Sequence, residues 1–384
     1  MLGERVKWEN SKRIVKHGFL LMLLLWGTVE VGYGQRVYAD AQQSSEKQSL
    51  ILTFSEVINQ ENAIDENLAN FSTLLVRLGA LGAITANQNL QFINQQKPLP
   101  TSPIVIRFGS TNSLLNLLGG FSVQRTNGGR TSLIGPSYSG GELLNLLNLL
   151  GQSQVDHAII PPSGEEYDGI RLEINTFLGG LLEAYYYYAF YITPPTIPHI
   201  TLCEGVRGQA IISNFQLGYT YRLYTQQLGG IQVGSDITAS TFEIPADWEG
   251  SYWLEAREGN IYPSARTELR VVRNKISSGV ISENQTICEG EAPLQLNGTI
   301  PETSTTGATI SYQWQQKTSA EYLDIAEATS QNFQPSSLIE TTTFRRITWS
   351  TLNGVLCTAV SNEITVTVLP LPGKPHLTIS DVIN

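Results

Sequence analysis

The sequence predicts an all-β protein built of tandem β-sandwiches. Two observations from the residues predict this. From Ser49 onward, turn residues return every 8–12 positions, and few stretches carry a helical period. Runs with a period of two stand between the turns: Pro103–Phe108, Gln209–Ile212 and Glu363–Val368. Such alternation sends successive side chains to opposite faces of a sheet.

The chain has 384 residues, 41% hydrophobic and 15% charged, with a net charge of −10. Average charged usage is about 25%, so the surface is unusually neutral. Its acidic balance argues against a nucleic-acid binder, which needs a basic face. Four His and three Cys leave little material for metal or Ser-His chemistry.

Residues 1–34 read as a signal peptide. Arg5, Lys7, Lys12, Arg13 and Lys16 precede an apolar run from Phe19 to Trp26, and Gly32-Tyr33-Gly34 supplies a small-x-small cleavage pattern. The apolar run is too short for a bilayer, which needs about 20 residues. No later stretch spans a membrane, so the expected location is secreted, extracellular or cell surface. Removal of this segment takes away five basic and three acidic residues and leaves a net charge of −12.

A spacer is expected at 35–48, followed by a β-sandwich at 49–195. Pro-rich joints then divide the chain at 193–198 and 370–375, and a further joint falls near Lys275–Gly279. The segments 196–274 and 275–369 read as repeats of one unit. Each opens with Cys-Glu-Gly, at Cys203-Glu204-Gly205 and Cys288-Glu289-Gly290. Each continues with an aromatic strand, Tyr219–Tyr224 and Ile310–Gln315. Late strands follow at Gly250–Leu254 and Thr343–Ile347, and each unit ends in an alternating strand. This order fits an immunoglobulin-like sandwich, with Trp314 in the place of a core Trp and Leu223 in that place in the earlier unit. Residues 370–384 read as a linker and the start of a further repeat cut off at Asn384, because Pro375–Ile379 echoes Pro198–Leu202.

The Cys-Glu-Gly opening, the Tyr312-Gln313-Trp314 strand and Thr341–Arg346 resemble the Ig-like/PKD-like repeats of large surface proteins from gliding, type IX-secreting bacteria. The resemblance covers roughly 196–369. It implies spacers or adhesive modules. It also implies that Cys288 and Cys357 face each other as a disulfide, the alternative being two buried free thiols. Cys203 has no partner in its own repeat, where Asn260–Ser264 stands in place of a second Cys. It is then a buried free thiol or half of an intermolecular bridge.

Residues 61–74 resemble the opening of discoidin-like jelly rolls, which implies a jelly-roll-like first module. The Asp65 loop then either orders itself by side-chain hydrogen bonds or holds a structural calcium; no other cofactor is expected. Three Leu-Gly segments, 114–120, 143–150 and 177–182, read as turns that pack on each other or as an exposed apolar patch for a partner.

The run Tyr185–Tyr191 is the candidate ligand site. As a strand it sends alternate rings to opposite faces. With Tyr186, Tyr188 and Phe190 outward, or Tyr185, Tyr187 and Tyr191 with Ala189, the rings form a platform for sugar faces; the alternative is a final strand packed by cross-strand aromatic pairs. Glu165-Glu166-Tyr167-Asp168 reads as a solvated turn rather than a paired-carboxylate site. HExxH, GxSxG and a Gly-rich phosphate loop do not occur. The sequence therefore points to a non-enzymatic protein for adhesion or display, with the repeats as stalk and a surface protein or glycan as partner. The alternative is a carbohydrate-binding module and spacer of an exported polysaccharide-processing system.

Overall fold

The computed structural model describes residues 36–373 apart from 51–52, 78–83, 112–119, 140–141, 144–154, 177–180 and 319. Residues 1–34, read above as a signal peptide, most of the Leu-Gly segments and the 375–379 echo lie outside the described residues. Across the described residues the chain is all-β, and its strands form three successive sheet assemblies.

The first is a two-sheet antiparallel sandwich. One sheet runs in the order Val155–Ile160, Ile104–Gly109, Leu181–Ile192, Ser72–Arg77, Thr53–Ile58 and Gln48–Leu50, with Arg36–Tyr38 added to Leu181–Ile192. The other holds Ala41–Ser44, Ile84–Gln91, Gly169–Thr176, Phe121–Thr126 and Leu133–Ser139. Alternate residues such as Leu74 and Val76 on one sheet and Leu172 and Ile174 on the other fill the space between them. Thus 35–48 is not a spacer. Arg36–Tyr38 pairs with Phe190–Ile192, and Ala41–Ser44 pairs with Gln88–Gln91. These strands are three and four residues long, and Ala-Gln-Gln-Ser carries no apolar alternation that would mark it as a strand.

Both later units share one plan. In the first repeat the sheet order is Ile200–Cys203, Thr267–Asn274, Gly250–Glu258, Tyr219–Tyr224 and Gln232–Ile237. In the second it is Gln285–Cys288, Ile364–Leu369, Thr342–Leu352, Thr309–Thr318 and Glu321–Asp324. The opening strand lies parallel to the last one in each. A short hairpin folds back on the long strand in each: Tyr262–Pro263 on Gly250–Glu258, and Val355–Val360 on Thr342–Leu352. Trp314 is fully buried against Phe333, and its Nε1 donates to the Ser330 carbonyl at 3.0 Å. Leu223 is buried in the corresponding strand of the first repeat.

Three buried arginines tie these units internally. Arg125 donates to the Ile160 and Pro161 carbonyls. Arg273 donates to the carbonyls of Trp248 at 2.7 Å and Val206 at 2.6 Å. Arg346 donates to those of Gln331 at 2.7 Å, Thr299 at 2.6 Å and Ser278 at 3.1 Å. Each guanidinium satisfies loop carbonyls that would otherwise be desolvated without a donor.

Candidate functional site

The aromatic strand Leu181–Ile192 is central in its sheet, between Ile104–Gly109 and Ser72–Arg77. Its pairing with Ile104–Gly109 breaks register between Tyr186 and Tyr188. A bulge of this kind inserts one residue and reverses the alternation beyond it. Ala184, Tyr186, Ala189 and Tyr191 therefore point into the first sandwich, whereas Tyr187, Tyr188, Phe190 and Ile192 point away from it.

This corrects the expected platform. Tyr186 and Phe190 are fully buried and Tyr188 is 7% exposed. Tyr186 also lies on the opposite face from the other two, because a strict period of two cannot see a bulge. The outward rings are covered by the first repeat. Val105, Tyr188, Phe190 and Ile192 share one apolar cluster with Ala210, Tyr219, Tyr221 and Leu254. Tyr262 meets Phe190 edge-on at 5.6 Å. The Arg36 guanidinium sits 4.5 Å above Phe190 and binds Glu258 at 2.6 Å. The strand read as a ligand platform is the seal between two domains.

His157 lies in this seam. Its Nε2 is 3.1 Å from the Tyr188 hydroxyl, and its ring is 5.6 Å from Tyr262. Burial first, then the nearby Arg107 and Arg36, push its pKa down to about 4. Nothing in the sequence assigned His157 a role; the pairing of Ile104–Gly109 with Val155–Ile160 places it here.

The second joint is covalent. Cys203 bonds Cys357, with Cα atoms 5.6 Å apart, and Cys288 is an exposed free thiol. The expected Cys288–Cys357 pairing is thus corrected. Cys288 pairs with Leu369, beyond the Thr342 end of the long strand, whereas Cys357 pairs with Ser350 near its other end. Around the bridge, Asn274 Nδ2 donates to the Ser350 and Val355 carbonyls at 2.9 and 3.1 Å, while Ser350 Oγ donates to Asn274 Oδ1 at 2.6 Å. Asn353 donates to Thr201 Oγ1 at 3.0 Å, and Lys275 pairs with Glu249 at 2.8 Å.

An open cleft of about 450 Å³ brings Asp65 and Tyr188 together with Tyr38, Asp40, Glu66 and Gln95. Asp40 accepts from the Ile93 and Asn94 backbone N–H groups at 2.8 and 2.9 Å. Asp65 accepts from Asn67 N at 3.0 Å and Asn70 Nδ2 at 2.8 Å. Both carboxylates order their loops. Of the run 165–168, Glu165 and Glu166 are exposed, but Tyr167 is buried with its hydroxyl on the Ser102 carbonyl at 2.7 Å. Asp168 is also buried and accepts from Gly128 N. That half of the run was expected to be solvated and is instead part of the first core.

Residues 277–370 match a family model described as "Domain of unknown function (DUF8696)". No curated protein matches. Among solved structures, the chain is similar to a β-1,2-glucanase from Parabacteroides distasonis, at 12% identity and a TM-score of 0.28, over 62% of this chain and 37% of that one. It thus spans little more than a third of the glucanase. It is similar to three N-terminal domains of the bacteriophage RB49 Highly Immunogenic Outer Capsid protein, at 10% identity and a TM-score of 0.32, over 87% of this chain and 100% of that one. Fibronectin(III)-like modules of Clostridium thermocellum CbhA match at 15% identity and a TM-score of 0.26, over 48% of this chain and 100% of theirs.

Proposed function

We propose that the chain is a secreted or cell-surface, non-enzymatic stalk, whose docked modules hold an adhesive or displayed element at a fixed distance from its anchor. One observation carries this reading: neither joint is a loose linker. The first is an apolar cluster shared by two domains. The second is a disulfide ringed by hydrogen bonds from Asn274, Ser350 and Asn353. Even the Pro-rich segment 193–198 is tied down, since Asn214 accepts from Thr196 N at 2.6 Å and donates to the Pro194 carbonyl at 3.0 Å. Domain pairs without such contacts move relative to one another by default. The bridge also suits an oxidising compartment, in keeping with the export signal read in 1–34.

Small-angle scattering on residues 35–384 tests the stalk. A single elongated particle that keeps its maximum dimension across salt concentrations is expected. A distribution of compact and extended shapes would sink the reading. Beads coated with the chain, offered to cells and to a bare glass control, then separate adhesion from passive display.

A further inference from the structure

Cys203 and Cys288 occupy the same place in their repeats. Each ends the opening strand, opposite Asn274 and Leu369 respectively in the parallel pairing. In each, the following residue donates its N–H to that partner's carbonyl: Glu204 to Asn274 at 3.3 Å, Glu289 to Leu369 at 2.9 Å. Cys203 is spent on a bridge to the next module, whereas Cys288 is exposed and free. The same position is therefore already seen bonded once in this chain.

Both joints are also received by the same element. In the first repeat the hairpin at 258–262 docks on the preceding domain through Glu258 and Tyr262. In the second repeat the hairpin at 352–357 docks on the first repeat through Asn353 and Cys357. Counting back from the hairpin tips, the residue that matches Cys357 opposite Ser350 is Ser264 opposite Ala256. The domain before it has no cysteine to offer. The one bridge seen here suggests a rule. The Cys-Glu-Gly cysteine of a repeat reaches forward, and the hairpin cysteine of the next repeat receives it.

We infer that Cys288 is the outgoing half of a second inter-module disulfide, closed by a hairpin cysteine on a further module of the 277–370 kind docked against the Leu369 end. Leu369 and Leu371 are exposed there, 49% and 61%. The Pro-His-Leu-Thr-Ile of 375–379 repeats the lead-in to the first repeat's Cys-Glu-Gly, Pro198–Leu202. Bond formation takes two protons and two electrons from the two thiols and passes them to a disulfide oxidant such as oxidised glutathione, which leaves as two thiols. The inference rests on the reading of the chain as an exported rod.

The test extends residues 35–369 with a second copy of 275–369 and oxidises the product in a glutathione buffer. Peptide mapping without reduction is expected to join Cys288 to the Cys357 of the added copy. One titratable thiol then remains of the five cysteines. Three thiols, with Cys203 still bonded to the first Cys357, would overturn the inference. Cys288→Ser in the first copy should raise the count from one to two by freeing the added Cys357. If the extended chain does not fold, the protein taken from its own source under acid quench decides. Cys288 found on a hairpin peptide of a later module supports the inference; Cys288 alkylated as a free thiol or capped by glutathione overturns it. Scattering reports the rod independently, so a loose rod with Cys288 bridged refutes the stalk reading alone.

Discussion

Arg36 and Glu258, 222 residues apart in sequence, meet at 2.6 Å across the seam between the first domain and the first repeat. The Arg36 guanidinium also covers the rings of Phe190 and Tyr262 at 4.5 and 5.5 Å. Burial alone would lower its pKa, but the hydrogen bonds to Glu258 and Tyr38 together outweigh that and raise it. One residue of the opening strand thus secures both the edge of the first sheet and the docking of the next module.

Arg36→Ala removes the ion pair and both ring contacts. It should cost about 2 kcal/mol in urea unfolding, in the range of hydrogen bonds to charged groups. Glu258→Gln keeps the stacked cation and should cost about half as much. An Arg36→Ala midpoint equal to wild type would show that the seam holds without this contact.

His157 gives the seam a pH dependence. The unfolded imidazole titrates near 6.5 and the folded one near 4. Between these values the unfolded state binds more protons. The contribution of His157 is fully present above pH 6.5 and is lost as pH falls through 4. Arg36, Arg107, Tyr188 and Tyr262 face the ring. The neighbouring Asp156 has its pKa raised by burial, so it acts in the opposite sense, adding stability at low pH that is lost as pH rises through its folded value. His157→Gln should flatten the slope of stability between pH 6.5 and 4. An unchanged slope would assign the effect to other groups.

The bridge between repeats should be visible chemically. Non-reducing digestion is expected to yield a peptide joining Cys203 to Cys357 and an alkylated Cys288. The bridge closes 154 residues of chain, so Cys203→Ser should cost about 2–4 kcal/mol, less than the chain-entropy value for so long a loop. A Cys288–Cys357 peptide would refute the joint as described.

In the second repeat, Arg346 is fully buried and reaches three carbonyls, and no carboxylate among the described residues pairs with it. Burial lowers its pKa. Arg346→Met leaves the Gln331, Ser278 and Thr299 carbonyls without their donor and should destabilise the repeat by about 3–5 kcal/mol. Gly298→Ala should act on the same site, since an added Cβ would collide with the Arg346 guanidinium and the Gln331 carbonyl. Thermal unfolding of both variants, read by tryptophan fluorescence, checks this. A variant with unaltered melting would mean that the loops find other donors.

The sheets were legible because period-two runs such as Ile104–Phe108 and Ile364–Val368 sit on buried faces, where burial writes itself into composition. Cys-Glu-Gly and Trp314 likewise mark positions local to one repeat. What escaped was set between modules. The bulge at 186–188 leaves no residue signal, and it reassigned every ring beyond it. The partner of Cys357 depended on which hairpin docks where, a relation spanning 154 residues that spacing within one repeat does not encode. Arg36–Tyr38 is too short a strand to announce itself.

The bulge also separates two tyrosines that a regular strand would place side by side. Tyr186 fills the first core, its hydroxyl 3.4 Å from the Ile170 carbonyl. Tyr188 fills the seam against Tyr38 and His157. Tyr186→Ala should open a cavity inside the first sandwich and cost about 3–5 kcal/mol in its unfolding. Tyr188→Ala should leave that sandwich folded and instead raise hydrogen exchange at Glu258–Tyr262, on the far side of the seam, because the apolar cover there is lost. If both substitutions slowed or hastened exchange at the same amides, the two rings would share one face and the bulge would be wrong.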